Sequence, residues 1–179
     1  MTTLAGFLRC LGSVLLLLVV GESRADAGVS EEQLKAAFVF NFAKYVEWPS
    51  GVTGPVVACT LGSDAMASAL LSFEGRPVSG RSFQLRRVSV PDDVAACNVV
   101  VLSDMEPNRM EEVLRRVPVQ GVLTVSDIDG FTEAGGMIAM MRVGDRLQFE
   151  INNAALQRAN LKASSQLLKL ARNLSGRGR

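Results

Sequence analysis

The 179-residue chain contains no histidine, so any chemistry it carries out must use carboxylates, lysine, tyrosine, serine or cysteine. Without histidine, a Ser-His-Asp or Cys-His nucleophile cannot be assembled, and the imidazole ligands of zinc sites are missing. The chain has 19 basic and 18 acidic residues, and its net charge of +1 provides no electrostatic footprint for a nucleic acid. The composition therefore disfavours the common hydrolases and any nucleic-acid partner.

The most enzyme-like fragment is Asp127-Ile128-Asp129-Gly130, which follows an apolar run. It imitates the first motif of haloacid-dehalogenase-type phosphatases, in which one aspartate is the nucleophile and the next a general acid. That chemistry also needs a downstream lysine and an acidic cluster around magnesium, and the later carboxylates are widely scattered. We therefore interpret the fragment as a turn that ends a strand, with aspartate side chains bonded to local backbone. The sequence predicts no catalytic residue, cofactor or metal site.

The first 27 residues have the features of an export signal. Arg9 is the basic residue of the N-terminal region that precedes the apolar run, residues 11–20 form that run, and Ala25-Asp26-Ala27 matches a cleavage site. The apolar run is too short for a membrane-spanning helix, which needs about 20 residues. We predict a signal peptide over residues 1–27 that is cleaved near Ala27, one domain over residues 28–175, and a basic tail over residues 176–179.

Cleavage would remove Cys10 and leave Cys59 and Cys97, each of which lies in an apolar stretch. Exported proteins meet an oxidising environment, so the two thiols could form a disulfide if their stretches are neighbouring strands. Closing a loop of that length would contribute roughly 4 kcal/mol in the chain-entropy model. The alternative interpretation is a pair of small buried side chains that never bond to each other.

Helical and strand periodicities alternate along the rest of the chain. Ser30 and Gln33 form a capping box before a helix that runs to Trp48-Pro49. Gly144-Asp145 is a tight turn between two strands, and the apolar run from Asn98 to Leu102 is typical of a central strand covered on both faces. The other predicted helices cover 64–71, 107–116, Asn152 to a break near Asn160, and 166–174, and the other predicted strands cover 56–61, 83–88, 121–125, 137–143 and 146–151.

The order of these elements predicts an α/β fold. We expect a single layered domain with a mixed, mainly parallel sheet, helices on both faces, and a C-terminal antiparallel hairpin followed by a helix. The amino-acid sequence shows no internal repeat, low-complexity linker or second domain boundary.

Glu150 stands out among the residues of the hairpin. Strand alternation places it on the face opposite Phe149 and Ile151. We therefore expect this carboxylate to be either solvated or paired, with Arg142 or Arg146 across the hairpin as candidate partners.

Several ordered blocks of the sequence resemble the YfiR family of exported bacterial proteins. The segment LKAAFVFNFAKYVEWP, from Leu34 to Pro49, is similar to the opening signature of that family. The later blocks, in the same order, are Cys59 before Leu61-Gly62, Leu123 to Asp127, Gly130-Phe131, Gly135 to Ile138, Phe149 to Asn152, and Ser164 to Ala171. The resemblance covers essentially the whole chain after the predicted signal peptide.

The resemblance implies a non-enzymatic periplasmic repressor, which binds the periplasmic sensory part of an inner-membrane diguanylate cyclase of the YfiN type and keeps it inactive. Cyclic di-GMP output and biofilm formation then stay low until envelope or redox stress releases the repressor. The family is associated with homodimers and with a disulfide, which Cys59 and Cys97 would form here. Some members carry a second cysteine pair near the hairpin, whereas this sequence has no cysteine between Ala134 and Met141 and cannot sense redox state there.

We hypothesise that the membrane partner contacts a surface of the C-terminal half of the domain. The residues assigned to this surface are Gly135, Gly136, Met137, Ile138, Glu150 and Leu156. The alternative hypothesis is a periplasmic small-ligand-binding module that signals to a membrane receptor or kinase. A deep apolar pocket with convergent polar groups would favour that alternative.

Overall fold

The computed structural model describes residues 29–51, 53–89 and 91–175. The predicted signal peptide and the predicted basic tail lie outside the described residues. The α-helices described are α1 (Glu31–Tyr45), α2 (Asp64–Leu70), α3 (Pro107–Arg116), α4 (Asn153–Arg158) and α5 (Ser165–Leu170), with 3₁₀-helices at Leu71–Phe73 and Pro91–Ala96. The strands are β1 (Val46–Glu47), β2 (Val56–Gly62), β3 (Pro77–Val78), β4 (Arg81–Arg87), β5 (Val99–Ser103), β6 (Leu123–Ser126), β7 (Ile138–Val143), β8 (Arg146–Asn152), β9 (Lys162–Ala163) and β10 (Asn173–Ser175).

Eight of the described strands form one mixed sheet in the order β10-β8-β7-β6-β5-β2-β4-β3. Neighbouring strands are parallel from β7 through β6, β5 and β2 to β4, and β10 is parallel to β8. The hairpin β7-β8 and the short edge pair β3-β4 are antiparallel, and β1 and β9 form a separate antiparallel pair. The predicted α/β class is confirmed. Within the described part of the chain, no helix is long and apolar enough to cross a membrane.

The central strand β5 is buried along its whole length, as its apolar run predicted. Val99 and Val101 belong to the core that also contains buried residues from α1, α2, α4 and α5. Val100 and Leu102 belong to a second core, which contains Met110 of α3. Because successive side chains of a strand point to opposite faces, this one strand contributes to both cores, and helices cover both faces of the sheet.

The helix α1 begins at the predicted capping box and ends earlier than predicted. The Ser30 hydroxyl accepts the Gln33 N–H at 3.1 Å, and the Gln33 side chain accepts the Ser30 N–H at 3.0 Å. The helix stops at Tyr45 because β1 pairs with β9, and the Trp48 indole N–H donates to the Ala43 carbonyl at 3.1 Å. That pairing joins segments far apart in sequence, so local periodicity does not reveal it.

The helix predicted over 166–174 is wrong in its C-terminal half. The helix α5 ends at Leu170, and Ala171 has the extended conformation that ends it, with ψ of 135°. The Arg172 N–H donates to the Phe149 carbonyl at 2.9 Å, and β10 then pairs with the edge of β8. Apolar spacing fits a helix here, but the edge strand offers backbone partners that a short terminal helix lacks.

The predicted cap at Asn152, the break near Asn160 and the hairpin turn are confirmed. The Asn152 side chain accepts the Ala155 N–H at 3.0 Å and caps α4. Asn160, after α4, has φ of 55°, in the left-handed region that asparagine tolerates. Gly144, with φ of 59°, turns the chain between β7 and β8.

A disulfide joins Cys59 of β2 to Cys97, which lies just before β5. Their Cα atoms are 5.8 Å apart, and both side chains are buried. The strands β2 and β5 are neighbours, which is the arrangement the sequence required for a bridge. The Asn98 side chain accepts the Val57 N–H at 2.9 Å and so links the residue before β5 to β2. The structure therefore favours the disulfide over two unpaired buried thiols.

We expect the double variant Cys59→Ala/Cys97→Ala to be less stable than the oxidised protein by about 2–4 kcal/mol, because the bridge restricts the unfolded chain. Urea unfolding measures the difference. A reductant should shift the wild-type transition toward that of the double variant and leave the variant unchanged. Equal unfolding midpoints for the oxidised wild type and the variant would contradict this account.

Candidate functional site

The carboxyl ends of the parallel strands open onto a crevice of about 860 Å³. The chain passes from β2 through α2 to β4 on one side of β2, and from β5 through α3 to β6 on the other side. The connections therefore diverge between β2 and β5, and a crevice at such a switch point is where open α/β sheets bind ligands. Gly62, Ser103 and Asp127, which stand at the ends of β2, β5 and β6, line this crevice.

Gly62 allows β2 and β5 to approach closely at the crevice. Its φ is +99°, and a Cβ added there would lie 1.7 Å from the Ser103 carbonyl oxygen. A side chain at this position is excluded both by the backbone conformation and by the neighbouring strand. The next residue of the β5 end, Asp104, has φ of 52°, a left-handed conformation that aspartate tolerates.

Four charged side chains of alternating sign lie in a row from the crevice across α1 to the hairpin. Lys35 Nζ lies 2.7 Å from Asp127 Oδ2 and 2.9 Å from Glu31 Oε1. Glu31 Oε2 in turn lies 2.9 Å from Arg142 Nη1. The Lys35 and Asp127 side chains are 14% and 18% exposed, so their ion pair is shielded from solvent much more than the Glu31–Arg142 pair.

The pKa values of Lys35 and Glu31 shift in the direction that keeps both side chains ionised. Burial alone would lower the pKa of Lys35, but its hydrogen bonds with Asp127 and Glu31 outweigh burial and raise that pKa above its ordinary value. The hydrogen bond from Lys35, and then its charge, lower the pKa of Glu31. The stabilisation by these groups is therefore present at neutral pH. It is lost in acid as pH falls through the lowered pKa of Glu31, and in alkali as pH rises through the raised pKa of Lys35.

The Asp127-Ile128-Asp129-Gly130 fragment ends a strand, as predicted, but its aspartate bonds differ from the prediction. Asp127 pairs with Lys35, whereas the local backbone bond is made by Ser126, whose hydroxyl accepts the Ile128 N–H at 3.0 Å. The Ser126 hydroxyl also donates to the Leu102 carbonyl at 2.8 Å and so ties β6 to β5. In the described part of the chain, no group of three acidic or cysteine side chains is arranged to hold a metal ion.

The six residues predicted to contact a partner occupy different layers of the molecule. Ile138 and Leu156 are fully buried in the core that contains α1, and Gly136 and Met137 are also buried. Gly135 is exposed, and Glu150 is half-buried.

Glu150 lies on the face opposite Phe149 and Ile151, as predicted, but its partner differs from the prediction. Both neighbours belong to the core that contains α1, whereas the Glu150 carboxylate accepts a hydrogen bond from the hydroxyl of Thr132. Arg142, one of the two expected partners, lies opposite Leu147 and pairs with Glu31.

A groove of about 410 Å³ is lined in part by two of the residues predicted to contact a partner. Gly135 and Met137 line it together with Val117 and Val119, from the loop between α3 and β6. Val119 is 74% exposed, which is unusual for a large aliphatic side chain. Sequence reasoning missed this loop, although the alternation of valine with Pro118 outside any helix or strand marks apolar side chains that have no core position.

We expect Lys35→Met to destabilise the protein by about 1–3 kcal/mol, because it leaves the shielded Asp127 carboxylate without its cation. The Lys35→Met/Asp127→Asn double variant should lose less than the sum of the two single variants, which urea unfolding measures. Arg115→Met is the matched control, because its pair with Glu111 is exposed and spans 3.7 Å. A loss no larger in Lys35→Met than in Arg115→Met would contradict a structural role for the pair.

Two solved structures align with this chain at low sequence identity. A conserved domain protein from Vibrio cholerae O1 biovar El Tor str. N16961 aligns with a TM-score of 0.53 and 9% identity, over 82% of this chain and 60% of that chain. The ABC domain in complex with L-Trp from Streptococcus pneumonia aligns with a TM-score of 0.48 and 10% identity, over 80% of this chain and 60% of that chain. The matched region is 60% of each of these chains. The first comparison shows a shared fold.

The comparison with protein families covers most of the chain. Residues 32–172 match the family described as YfiR/HmsC-like. The match begins within α1 and ends just before β10, so it includes the crevice, the disulfide and the groove. It confirms the resemblance carried by the ordered sequence blocks, and the chain belongs to the YfiR/HmsC-like family.

Proposed function

We propose that this protein is a non-enzymatic periplasmic regulator that binds the periplasmic sensor of an inner-membrane diguanylate cyclase and holds the cyclase inactive. Cyclic di-GMP output and biofilm formation would fall as a result. Membership of the YfiR/HmsC-like family is the observation that carries this proposal. The proposal includes export with cleavage near Ala27, a folded domain over residues 28–175, and a homodimer. The Cys59–Cys97 disulfide supports export, because such bonds persist in oxidising compartments.

A regulator of this kind acts through a difference in affinity. Binding shifts a sensor toward its inactive conformation only if that conformation binds the regulator more tightly than the active one. Each tenfold difference in affinity corresponds to about 1.4 kcal/mol. The surface that contacts the sensor must therefore match one conformation in shape and charge, which favours a preformed groove over a flat polar face.

The groove lined by Val117, Val119 and Gly135 is the docking surface in this proposal. Most of its lining residues are apolar, and the charged side chains of Glu111, Arg115 and Arg158 also line it. An apolar centre with polar side chains at the rim is the usual anatomy of a protein interface. Arg115 pairs with Glu111, so Arg158 is left as the lining cation that would suit an acidic side chain beside an apolar anchor of the partner.

Of the six residues assigned to the partner surface from sequence, only some line the groove. Met137 lines the groove directly, whereas Ile138 and Leu156 lie in the core. A Cβ added to Gly136 would overlap the Phe131 ring, so this glycine makes room for that ring. Glu150 pairs across the hairpin with Ala139, which packs in the same core as Phe131, so this carboxylate shares the α3-facing side of the sheet.

We expect Val119→Glu to weaken capture of the cyclase from solubilised membranes and to raise cellular cyclic di-GMP, because it places a negative charge among the apolar lining residues of the docking groove. Affinity capture followed by mass spectrometry, with and without reductant, measures the first effect. Leu170→Glu is the matched control, because Leu170 is 69% exposed and lies outside the groove. Failure of the wild-type protein to capture any diguanylate cyclase would contradict the proposed function.

We expect Glu150→Ala to derepress cyclase output while the thermal midpoint stays nearly unchanged. The Thr132 hydroxyl would keep a second carboxylate partner, since Glu133 Oε2 lies 3.1 Å from it. Cellular cyclic di-GMP and thermal unfolding measure the two effects, with Glu47→Ala, at an exposed carboxylate of β1, as the control. A Glu150→Ala protein that represses fully, or that has lost its fold, would rule out a direct role of Glu150 in docking.

A further inference from the structure

We propose that the crevice at the carboxyl ends of β2, β5 and β6 binds a small organic cation that carries primary ammonium groups. The crevice and the groove proposed for the membrane partner have no lining residue in common. The inference therefore stands independently of the proposed partner.

Two buried oxygens at this crevice have no hydrogen-bond partner among the described residues. One is the hydroxyl of Ser103, a residue that is only 3% exposed, and the other is Oδ1 of Asp127. Buried polar atoms in proteins almost always have partners, so two such atoms in residues lining one cavity indicate a ligand that supplies them. A carboxylate oxygen accepts only, and a hydroxyl also accepts, whereas an ammonium group brings three N–H donors.

The charges that line the crevice also favour a cation. Glu32, Asp104 and Glu106 line it, and none of the three forms an ion pair with a described residue. The pair of Asp127 with Lys35 already balances the fourth carboxylate, and Arg109 is the one cation among the described lining residues. In a chain whose net charge is +1, this local excess of carboxylates attracts cations and repels phosphates and other anions.

The spacing of the carboxylates favours an extended organic cation over a metal ion. Calcium and magnesium need several oxygen ligands around one point. No described group of three or more acidic side chains is close enough to provide them. Apolar side chains of Met66, Met105 and Ile128 line the crevice between the charged groups. A linear diamine matches this pattern, because its methylene chain can contact the apolar wall while its two ammonium groups reach separate carboxylates.

Isothermal titration of the protein purified from the periplasm with putrescine tests the proposal. We expect saturable binding of putrescine and none of butanediol, the diol with the same number of carbons. Ser103→Ala should bind putrescine about tenfold more weakly, since a hydrogen bond to a charged group is lost. This variant should keep the wild-type circular dichroism spectrum, because the deleted hydroxyl has no partner in the unbound protein.

Two further variants make the test independent of the stability of Ser103→Ala. Glu32→Gln should also weaken putrescine binding, because it removes one of the unpaired carboxylates. Glu112→Gln is the matched control, since Glu112 lies on α3 outside the crevice and pairs with Arg116, and its affinity should equal that of wild type.

Several results would overturn the assignment: equal binding of the diol, no saturable binding at millimolar putrescine, or unchanged affinity in both Ser103→Ala and Glu32→Gln. Displacement of putrescine by magnesium chloride at the same concentration would also overturn it, because putrescine binding would then depend on positive charge alone. None of these measurements involves the cyclase, so their outcome is separate from that of the proposed function.

Discussion

The pairing of β2 with β5 is the constraint on which the rest of this structure depends. The register places Gly62 opposite Ser103 at the carboxyl end, and the Cys59–Cys97 disulfide lies farther back along the same pair. The two strands can approach this closely at their ends only because residue 62 has no side chain. The connections diverge from this pair, and the crevice follows from that divergence. The same pair separates the two cores, because both faces of β5 are covered.

The charged side chains attach the first helix to the sheet that the strands build. Lys35 on α1 reaches the end of β6 through Asp127, and Glu31 reaches the hairpin through Arg142. A helix packed only by apolar contacts can slide or rotate on a sheet, whereas these ion pairs specify one position. The position matters for the crevice, because Glu32 on the same helix lines it. The α1 register thus sets both the core under the helix and the charge of the cavity.

Two surfaces of different chemistry result from this arrangement. The crevice is rich in carboxylates and lies at the carboxyl ends of the parallel strands, whereas the groove is lined mostly by apolar residues together with Glu111, Arg115 and Arg158. Both receive residues from α3 or from the segments that flank it: Glu106 and Arg109 line the crevice, and Glu111 lines the groove. Coupling between cation binding at the crevice and partner binding at the groove would require an element in contact with both surfaces. The helix α3 is in that position.

The sequence alone determined the features that depend on near neighbours: the capping box of α1, the burial of β5 on both faces, the cap of α4, the hairpin turn and the α/β class. Each follows from spacing within a few residues, because hydrogen bonding at a cap and the period of a strand are local. The tertiary structure alone decided where α1 ends, that the chain after Leu170 becomes a strand, and which groups meet Asp127 and Glu150. Lys35 and Asp127 are separated by 92 positions, and such partners are chosen by the folded sheet, which no local pattern encodes.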